Sequence, residues 1–504
     1  MNGKVYLVGA GPGDSGLLTL KGKAALERAD TVVYDFLANE DLLRYARPDC
    51  EKICVGKRAG EKTLPQESIN ELLASKAAEG KMVVRLKGGD PFIFGRGGEE
   101  AQALAQAGIP FEVVPGVSSG YAAAAYAGIP LTHRDLSSSV AFVTGHEDPS
   151  KSTSSVDWEK IARGADTLVL FMGVQNLAEI SAALALAGRS PKTPVAVIRW
   201  GTRAGQQTVT GTLADIAEKA EGIEAPAVIV VGEVVNLRDE LNWFELLPLF
   251  GKRIVITRTR EQASTLRESL EQLGAEAIEI PSIEVQDPQS WQPMDQTISR
   301  LQDFDFLVFT SANGARKFLQ RLPVCGRDVR DLKGLAIGAI GPGTAAELAA
   351  TGIRVDFMPK EYVAEGLIEH LKGVEVRGKR FLIPRAKIAR DVLPRTLEER
   401  GAHVEVVEAY ETVRPEFAPG ELERLLTPAP DAVTFTSSST VTNFVKLLES
   451  EGLRGILERV ALASIGPITS ETIRKQGLQV SLEAAESTIA GLVQALQSYF
   501  HRNA

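Results

Sequence analysis

The sequence predicts an α/β protein built of two halves. Short apolar segments alternate with helical patterns through the first 245 residues, which is typical of domains with a largely parallel sheet. Glycine-rich loops follow three of these segments, and after residue 250 a second alternating region repeats itself internally. A chain of 504 residues is also too long for a single hydrophobic core. We therefore expect separate α/β domains in the two halves.

The apolar segments of the first half are predicted strands. They are Val5–Val8, Thr31–Tyr34, Met82–Arg85, Phe111–Val114, Val140–Thr144, Thr167–Met172, Val195–Arg199 and Val228–Val231. The dipeptide Pro115-Gly116 interrupts the series, because proline restricts the residue before it to extended geometry and glycine frees the next one. The pattern thus predicts two lobes, about 1–114 and 115–245.

Three glycine-rich loops stand at the ends of predicted strands, at Gly9–Asp14, Leu86–Glu100 and Val114–Gly120. Glycine destabilises a helix or strand by about 0.5–1 kcal/mol relative to alanine, so this concentration suggests a backbone that a ligand approaches closely. Ligands of open α/β sheets bind at the carboxyl ends of the strands, and we expect the three loops to line one site there. The alternative for the second loop is an ordinary tight turn before a helix that begins at Glu99.

The second half contains an internal repeat. Gly251–Ile256 recurs as Gly378–Ile383, Asp305–Ser311 as Asp431–Ser437, and Ala339–Thr344 as Ser464–Thr469, at offsets of 127, 126 and 125 residues. Offsets this similar predict two copies of one α/β unit, each with glycine or hydroxyl residues in the loops after its strands.

The composition excludes several classes of function. A formal net charge of −9 argues against nucleic-acid binding, which needs a basic surface. The first residues run directly into a predicted strand and no apolar stretch reaches the roughly 18 residues of a membrane span, so we expect a cytoplasmic protein without a membrane partner. Three separated cysteines and five scattered histidines predict neither disulfides nor a metal centre.

The segment Gly11–Gly16 matches the G-x-G-x-x-G pattern of dinucleotide sites, and Asp35 follows about twenty residues further on. Pro12 removes one of the backbone donors that a pyrophosphate needs, and Asp14 puts a negative charge where phosphate would lie. Both residues favour a neutral or cationic ligand, and Asp90 adds a carboxylate suited to ribose hydroxyls. We therefore expect the site not to bind NAD.

The first half also carries an ordered set of longer motifs. They are Val8–Asp14, Tyr34-Asp35, Val55–Arg58, Lys87–Phe92, Pro115–Ser119, Gly128–Arg134, and Gly201-Thr202 with Thr210–Leu213. Together they resemble the uroporphyrinogen-III C-methyltransferase family over residues 1–245. The resemblance implies the two-lobed tetrapyrrole methylase fold, S-adenosylmethionine in the cleft between the lobes, a tetrapyrrole substrate and a homodimer.

The resemblance also implies roles for particular residues. Asp35 would be the base for the proton loss that follows attack by a pyrrole carbon, Lys57 would be its acid partner or a substrate anchor, and Arg58 would bind substrate carboxylates. The alternative is that Asp35 caps a loop while Lys57 and Arg58 only bind carboxylates. The implied cofactor-binding residues are Pro12, Gly88, Gly89, Asp90, Ile93, Ser118, Ser119, Met172, Gly201 and Ala227.

A second ordered set of motifs lies in the other half. It comprises Ile256–Arg258, Phe309–Asn313, Ile340–Pro342, Arg385-Ala386 with Arg390-Asp391, Ala409–Thr412 and Phe435–Ser439. These motifs resemble the uroporphyrinogen-III synthase family over residues 251–504. The resemblance implies two α/β domains, one from 251–283 plus 414–504 and the other from 286–411. It also implies closure of hydroxymethylbilane to uroporphyrinogen III with ring D inverted.

In this half Arg258, Arg385, Ser311 and Ser437 would hold substrate carboxylates, since arginine offers paired donors. Tyr410 would assist loss of the substrate hydroxyl. Two alternatives stay open: a purely structural Tyr410, and a two-lobed module that binds a ligand without reaction. The combined expectation is one enzyme that leads to precorrin-2, towards sirohaem or cobalamin.

Overall fold

The structure is a computed structural model that describes residues 3–56, 64–145, 156–258 and 260–502, with the backbone only at 260–263. The chain forms two compact units. The first comprises Met1–Ile254, Glu268–Ala277 and Gln497–Ala504, and the second comprises Val255–Arg267 and Ile278–Leu496. The described strands form four five-stranded sheets with helices packed on them, which confirms the α/β class.

The first sheet is parallel throughout. Its elements are β1 (Lys4–Gly9), α1 (Leu20–Arg28), β2 (Thr31–Tyr34), β3 (Glu51–Cys54), α2 (Gln66–Ala78), β4 (Met82–Lys87), α3 (Gly97–Gln106) and β5 (Phe111–Val114). The strands pair in the order β3-β2-β4-β1-β5. Val84 and Leu86 face one apolar cluster and Val83 faces another, so the sheet is buried on both faces. The carboxyl ends of all five strands lie along one edge.

The second sheet is mixed. Its elements are α4 (Ser119–Tyr126), β6 (Val140–Thr144), α5 (Trp158–Gly164), β7 (Thr167–Phe171), α6 (Leu177–Leu186), β8 (Pro194–Arg199), β9 (Gln207–Thr212), α7 (Ile216–Lys219), β10 (Ala227–Val231) and α8 (Arg238–Leu241). The strand order is β6-β7-β10-β8-β9, and β6 and β7 run parallel whereas the other three pairs are antiparallel. The largely parallel arrangement that the sequence predicts thus holds for the first sheet and not for the second. The connection from β8 to β9 covers only residues 200–206, which is too short for the crossover of a dozen or more residues that parallel strands need.

Strands β3 and β9 of the first unit were not predicted from the sequence. Both lie at the edge of their sheet. Glu51 and Lys52 of β3 are exposed, and β9 consists mainly of threonine, glutamine and glycine. Because an edge strand is only partly covered, its sequence lacks the apolar run on which the prediction relied.

The strands after residue 250 are β11 (Arg253–Ile256), β12 (Glu276–Glu279), β13 (Glu284–Gln286), β14 (Phe306–Phe309), β15 (Ala336–Ala339), β16 (Arg380–Ala386), β17 (His403–Val413), β18 (Ala432–Phe435), β19 (Ala461–Ser464) and β20 (Leu482–Glu483). The helices are α9 (Arg260–Glu271), α10 (Gln292–Ile298), α11 (Ala312–Val324), α12 (Pro342–Ala349), α13 (Ala364–His370), α14 (Val392–Glu399), α15 (Glu421–Leu425), α16 (Ser438–Ser450), α17 (Pro467–Lys475) and α18 (Ile489–Arg502).

These strands form a third sheet, ordered β12-β11-β18-β19-β20, and a fourth, ordered β13-β17-β16-β14-β15. The repeated sequence segments correspond to β11 and β16, to β14 and β18, and to β15 and β19. They occupy equivalent places, since β11-β18-β19 in one sheet matches β16-β14-β15 in the other. The internal repeat is therefore confirmed, and each sheet combines strands from both copies. The exact domain boundaries given above stay a prediction.

Among the described residues, no helix has both the length and the apolar composition that crossing a membrane requires.

Candidate active sites

The three glycine loops of the first unit meet at the carboxyl edge of the first sheet. A Cβ atom added to Gly9 would lie 2.5 Å from the Cα of Gly116, and one added to Gly116 would lie 2.3 Å from the carbonyl oxygen of Gly89. Gly11 and Gly89 exchange two backbone hydrogen bonds, with N to O distances of 3.2 and 2.7 Å. Any larger side chain would push these backbones apart. The loops thus come together, as the sequence predicts.

Asp90 ties the second loop to the third. Its Oδ1 accepts a hydrogen bond from the backbone N–H of Phe92 (2.8 Å), and its Oδ2 accepts one from Gly116 (2.9 Å). The sequence predicts a carboxylate suited to ribose hydroxyls, and in the structure both of its oxygens accept hydrogen bonds from the backbone. Each oxygen keeps a lone pair, so a ribose contact stays a prediction that adds to this structural role.

The other predicted cofactor residues at this edge lie on the same loops. Pro12 is in the first loop, and Ile93, with a partly exposed side chain, is in the second. A Cβ atom on Gly88 would lie 2.7 Å from the Cβ of Leu37, so the second loop also packs on the chain that follows β2. Ser118 caps α4, where its Oγ accepts from the N–H of Gly120 at 3.4 Å.

The predicted residues of the second sheet also share one edge. Met172 follows β7 and Gly201 lies two residues after β8, while Ala227 begins β10. Because β10 runs opposite to both neighbours, Ala227 pairs with Arg199 at the end of β8. A Cβ atom on Gly201 would lie 2.4 Å from that of Ala123 in α4, the helix that Ser118 caps. Helix α4 therefore connects the two sets of predicted cofactor residues.

Asp35 belongs to a cluster of buried charge. Its Oδ2 lies 3.2 Å from Nη2 of Arg85, whose Nε lies 3.1 Å from Oε1 of Glu100; Nζ of Lys87 lies 2.9 Å from the same Glu100 oxygen. Arg85, Lys87 and Glu100 are almost fully buried, whereas 27% of the Asp35 side chain is exposed. Two cations thus face two carboxylates, and Asp35 is the member that reaches the surface.

Burial also affects the titration of this cluster. It lowers the pKa of the Lys87 ammonium, and the nearby Arg85 charge lowers it further, while Glu100 opposes both. Oε2 of Glu100 has no hydrogen-bond partner among the described residues. The cluster fixes Arg85 and, through it, the orientation of Asp35. Oδ1 of Asp35 accepts from the N–H of Ala38 (3.2 Å), so the loop-capping contact that the sequence left open is present as well.

The sequence reasoning missed Arg85 and Glu100. The available signal was a pair of basic residues, Arg85 and Lys87, within an otherwise apolar central strand, which requires a buried partner. Lys57 and Arg58, the other predicted catalytic and substrate-binding residues, lie outside the described residues.

The loops of this site also contain unusual backbone conformations. Among the described residues, five that are not glycine have a left-handed φ between 49° and 71°: Phe94, Arg96, Met172, Trp200 and Thr202. They stand in the loops after β4, β7 and β8, which also carry predicted cofactor residues. Such conformations cost of order 1–3 kcal/mol each and cluster at functional sites, where the surrounding structure holds them.

In the second unit, Tyr410 and Ser311 are brought together. Their hydroxyl oxygens are 3.1 Å apart, and Ser311 also caps α11 by accepting from the N–H of Gly314 at 3.1 Å. Tyr410 lies in β17 and is largely buried among apolar residues, with 8% of it exposed. Both readings of Tyr410 therefore have support, because the ring is packed in the core while the hydroxyl reaches a loop at the end of β14.

The guanidinium of Arg385 contacts residues that follow it closely in the chain. Its Nη1 donates to the carbonyl oxygen of Arg390 (2.9 Å), and Nη2 forms an ion pair with Asp391. With Thr310 and Tyr362 it lines a cavity of about 220 Å³. The predicted contact of Arg385 with substrate carboxylates would thus have to compete with Asp391.

Ser437 and Arg258 belong to the third sheet. Ser437 caps α16 and takes part in a reciprocal capping box with Thr440, and its Oγ lies 2.9 Å from that of Ser439. It is therefore the equivalent of Ser311 in the repeat. Arg258 follows β11, and burial lowers the pKa of its guanidinium.

Two family models match the chain in series. Residues 4–217 match the tetrapyrrole (corrin/porphyrin) methylases, and residues 264–494 match uroporphyrinogen-III synthase HemD. The porphyrin biosynthesis protein HemD of Ruminiclostridium josui is 37% identical over 510 residues, covering 98% of this chain and 98% of that protein. The chain belongs to the HemD family of porphyrin biosynthesis proteins. The glycine loops and Asp35 lie in the methylase match of this HemD family member, and Ser311 and Tyr410 lie in its synthase match.

One relative matches about half of this HemD family chain, and another matches about two thirds of it. The uroporphyrinogen-III C-methyltransferase of Priestia megaterium is 57% identical and covers 46% of this chain and 99% of that protein. The uroporphyrinogen-III C-methyltransferase of Bacillus subtilis (strain 168) is 46% identical and covers 66% of this chain and 68% of that protein.

Proposed function

We propose that this HemD family member carries out two consecutive reactions of tetrapyrrole biosynthesis. Its second half closes hydroxymethylbilane to uroporphyrinogen III with ring D inverted, and its first half methylates that product twice with S-adenosylmethionine, giving precorrin-2. The observation that carries this proposal is the succession of both family matches in one chain, with a relative that aligns over 98% of each protein.

The first unit suits methyl transfer because this reaction chiefly demands positioning. S-adenosylmethionine supplies an activated methyl group, which has to lie about 3–3.5 Å from the attacking carbon. The close contacts of Gly9, Gly89 and Gly116 give the loops a fixed backbone without side chains that would fill the site. Ile93 and Met172 add partly exposed apolar surface in the loops after β4 and β7. These residues fit a cofactor that joins a ribose to a chain bearing a sulfonium.

Asp35 is the residue we assign to proton removal. Attack by a pyrrole carbon on the methyl group is followed by loss of a proton from the macrocycle, and a carboxylate near the site is suited to accept that proton. The Arg85 contact holds Asp35 in one orientation, and its partial exposure keeps it accessible to substrate. Lys57 and Arg58 keep their proposed roles as acid partner and carboxylate ligand.

In the second unit we assign loss of the substrate hydroxyl to Tyr410. Ser311 orients the tyrosine hydroxyl across 3.1 Å, and the helix N-terminus that Ser311 caps favours negative charge nearby. Arg258, Arg385 and Ser437 are the proposed carboxylate ligands. We further propose that the chain forms a homodimer through its first half, which light scattering of the purified protein tests.

The decisive experiment supplies the purified chain with hydroxymethylbilane and S-adenosylmethionine. We expect the dimethylated macrocycle of the type III series, with two equivalents of S-adenosylhomocysteine released. Without the methyl donor, uroporphyrinogen III should accumulate. Formation of only the type I ring would contradict the synthase assignment and would leave a ligand-binding module in the second half. Failure to methylate supplied uroporphyrinogen III would contradict the methyltransferase assignment.

A further inference from the structure

A chain of polar contacts, most of them partly buried, starts at the first glycine loop and is not explained by the reactions proposed above. Oδ2 of Asp14 accepts a hydrogen bond from the Tyr126 hydroxyl at 2.6 Å, and the backbone N–H of Asp14 donates to Oγ1 of Thr202 at 3.0 Å. Tyr126 ends α4 and Thr202 follows β8, so both contacts cross from the first sheet to elements of the second. The other Asp14 oxygen accepts from the N–H of Gly16 at 2.7 Å.

The contacts continue beyond Thr202. Its backbone N–H donates to Oε1 of Gln206 at 2.9 Å, and Nε2 of Gln206 donates to Oε1 of Glu245 at 2.8 Å. Glu245 also accepts from the hydroxyl of Thr208 at 2.6 Å and forms an ion pair with Arg238. Thr202 and Gln206 are buried, and the side chains of Arg238 and Glu245 are largely covered. Hydrogen bonds in such surroundings are costly to break.

Aromatic rings enclose the same region. The Tyr126 ring lies 5.0 Å from the ring of Trp243 and 4.8 Å from that of Phe244, in edge-to-face geometry. Nε1 of Trp243 donates to the carbonyl oxygen of Ala125 at 3.0 Å. The segment Arg238–Glu245, which lies between the two family matches, is therefore bound to the residues that hold Asp14.

The geometry of the first loop shows what these contacts control. On one side, Gly11 is fixed to Gly89 by the paired backbone hydrogen bonds. On the other side, Asp14 is fixed to Tyr126 and Thr202. Pro12, a predicted cofactor residue, lies between these two attachments. Asn39 adds a further contact, since its Nδ2 donates to the carbonyl oxygen of Gly13 at 2.7 Å. Removing the Tyr126 contact would therefore loosen the loop around Pro12 without changing any other predicted cofactor residue.

We propose that Tyr126 and Glu245 are positioning residues for S-adenosylmethionine binding. They act through Asp14 by holding the first glycine loop in its binding conformation, with Tyr126 in direct contact and Glu245 acting through Gln206. The inference rests on the proposed function, since it takes the glycine loops as the methyl-donor site. It also gives the segment Arg238–Glu245 a role in the methyltransferase reaction, although this segment lies beyond the methylase match.

The test measures S-adenosylmethionine binding to the full chain by calorimetry. Tyr126→Phe removes one hydroxyl and keeps the ring, and we expect it to weaken binding about tenfold, because hydrogen bonds to a charged group are among the stronger ones. The rate at saturating cofactor should stay near that of the wild type, while the KM for S-adenosylmethionine rises. Glu245→Gln should weaken binding less, because it acts through Gln206. The matched control is Tyr45→Phe, which removes a hydroxyl that accepts from Nη2 of Arg44 on the surface.

Asp14→Asn provides an independent variant, because asparagine still caps the following turn while it loses the charge that Tyr126 contacts. The double variant with Tyr126→Phe should bind no more weakly than the poorer single variant. A merely structural role would lower the melting temperature and leave the affinity of the folded protein within twofold of the wild type, and that result would overturn the inference. Absence of S-adenosylmethionine binding to the wild type would instead overturn the proposed function.

Discussion

In the first unit the predicted base Asp35 contacts a cluster of buried charge and several predicted cofactor loops have unusual backbone conformations, whereas in the second unit Ser311 and Ser437 occupy the N-termini of helices. In the first unit, Asp35 is fixed by Arg85, and five non-glycine residues of the described loops have left-handed φ angles. In the second unit, Ser311 and Ser437 cap equivalent helices, and the described residues include no left-handed conformation outside glycine.

This difference fits the two proposed substrates. A cofactor of constant shape is bound well by a backbone that does not adjust, and the cost of the strained loops is met by the surrounding fold. A linear tetrapyrrole changes shape while its ring closes, and rotating hydroxyls can follow it. The comparison therefore predicts that removing a single charge slows the reaction of the first unit strongly, and that removing a single hydroxyl slows the reaction of the second unit moderately.

The largest effect is expected for Asp35→Asn. If Asp35 removes the proton, methylation of uroporphyrinogen III should slow by about 10²–10⁴-fold, the usual range for general acid–base groups. Binding of S-adenosylmethionine should change little, because Asp35 is not among the predicted cofactor residues. Steady-state rates and calorimetry on the same sample separate these effects. Asp49→Asn, which changes an exposed carboxylate paired with Arg47, is the control.

If Asp35→Asn methylates at the normal rate, Asp35 is not the base, and its role is limited to the loop contact with the N–H of Ala38. The first site would then be distinguished from the second by its backbone alone.

The charge cluster also shows what the sequence could and could not predict. The three loops follow from glycine positions and strand ends, and both were predicted. Arg85 lies in the predicted strand Met82–Arg85 and Lys87 lies in the predicted loop Leu86–Glu100, but only the fold shows that Glu100, on the next helix, lies between them. The contact is set by the path of the loop from residue 88 to 96, which local patterns do not determine.

The same limit applies to Asp90 and to Ala227. The sequence identified Asp90 as a carboxylate near the site, but its two backbone partners depend on how closely the third loop approaches. Ala227 reaches the site edge only because β10 is antiparallel to β7 and β8, and the sequence predicted a largely parallel sheet there. The internal repeat, by contrast, was fully visible as matching segments.

The next largest effect is expected for Tyr410→Phe. If the tyrosine hydroxyl assists loss of the substrate hydroxyl, formation of uroporphyrinogen III should slow by about tenfold or more, since a hydrogen bond to a developing charge contributes about 1.5–3 kcal/mol. Methylation of supplied uroporphyrinogen III should not change. An unaltered synthase rate would show that Tyr410 only packs in the core.

The repeat offers a matched pair of controls for this prediction. Ser311→Ala and Ser437→Ala each remove a helix cap, and each should lower stability by about 1 kcal/mol. Only Ser311 contacts Tyr410, so Ser311→Ala should slow the synthase reaction beyond any change seen in Ser437→Ala. Equal synthase rates in the two variants would show that the contact between Ser311 and the Tyr410 hydroxyl does not contribute to the reaction.

The smallest effect is expected for the stability of the fold at acidic pH, where one surface carboxylate of each unit can be compared. Ion pairing with Lys76 lowers the pKa of Glu51 from 4.5 to about 2, and pairing with Arg330 lowers that of Asp328 from 3.8 to about 2. Both groups have a lower pKa in the folded chain than in the unfolded one. Each therefore stabilises the fold above its unfolded value, and this contribution is lost as the pH falls towards 2.

Glu51→Gln and Asp328→Asn should each lower the melting temperature slightly at pH 7, and the difference from the wild type should shrink as the pH falls from about 5 to 2. Asparagine retains the cap that Asp328 forms, so Asp328→Asn isolates the charge. Calorimetric scans at several pH values give both differences. A gap that stays constant with pH would mean that packing, and not ionisation, links these side chains to stability.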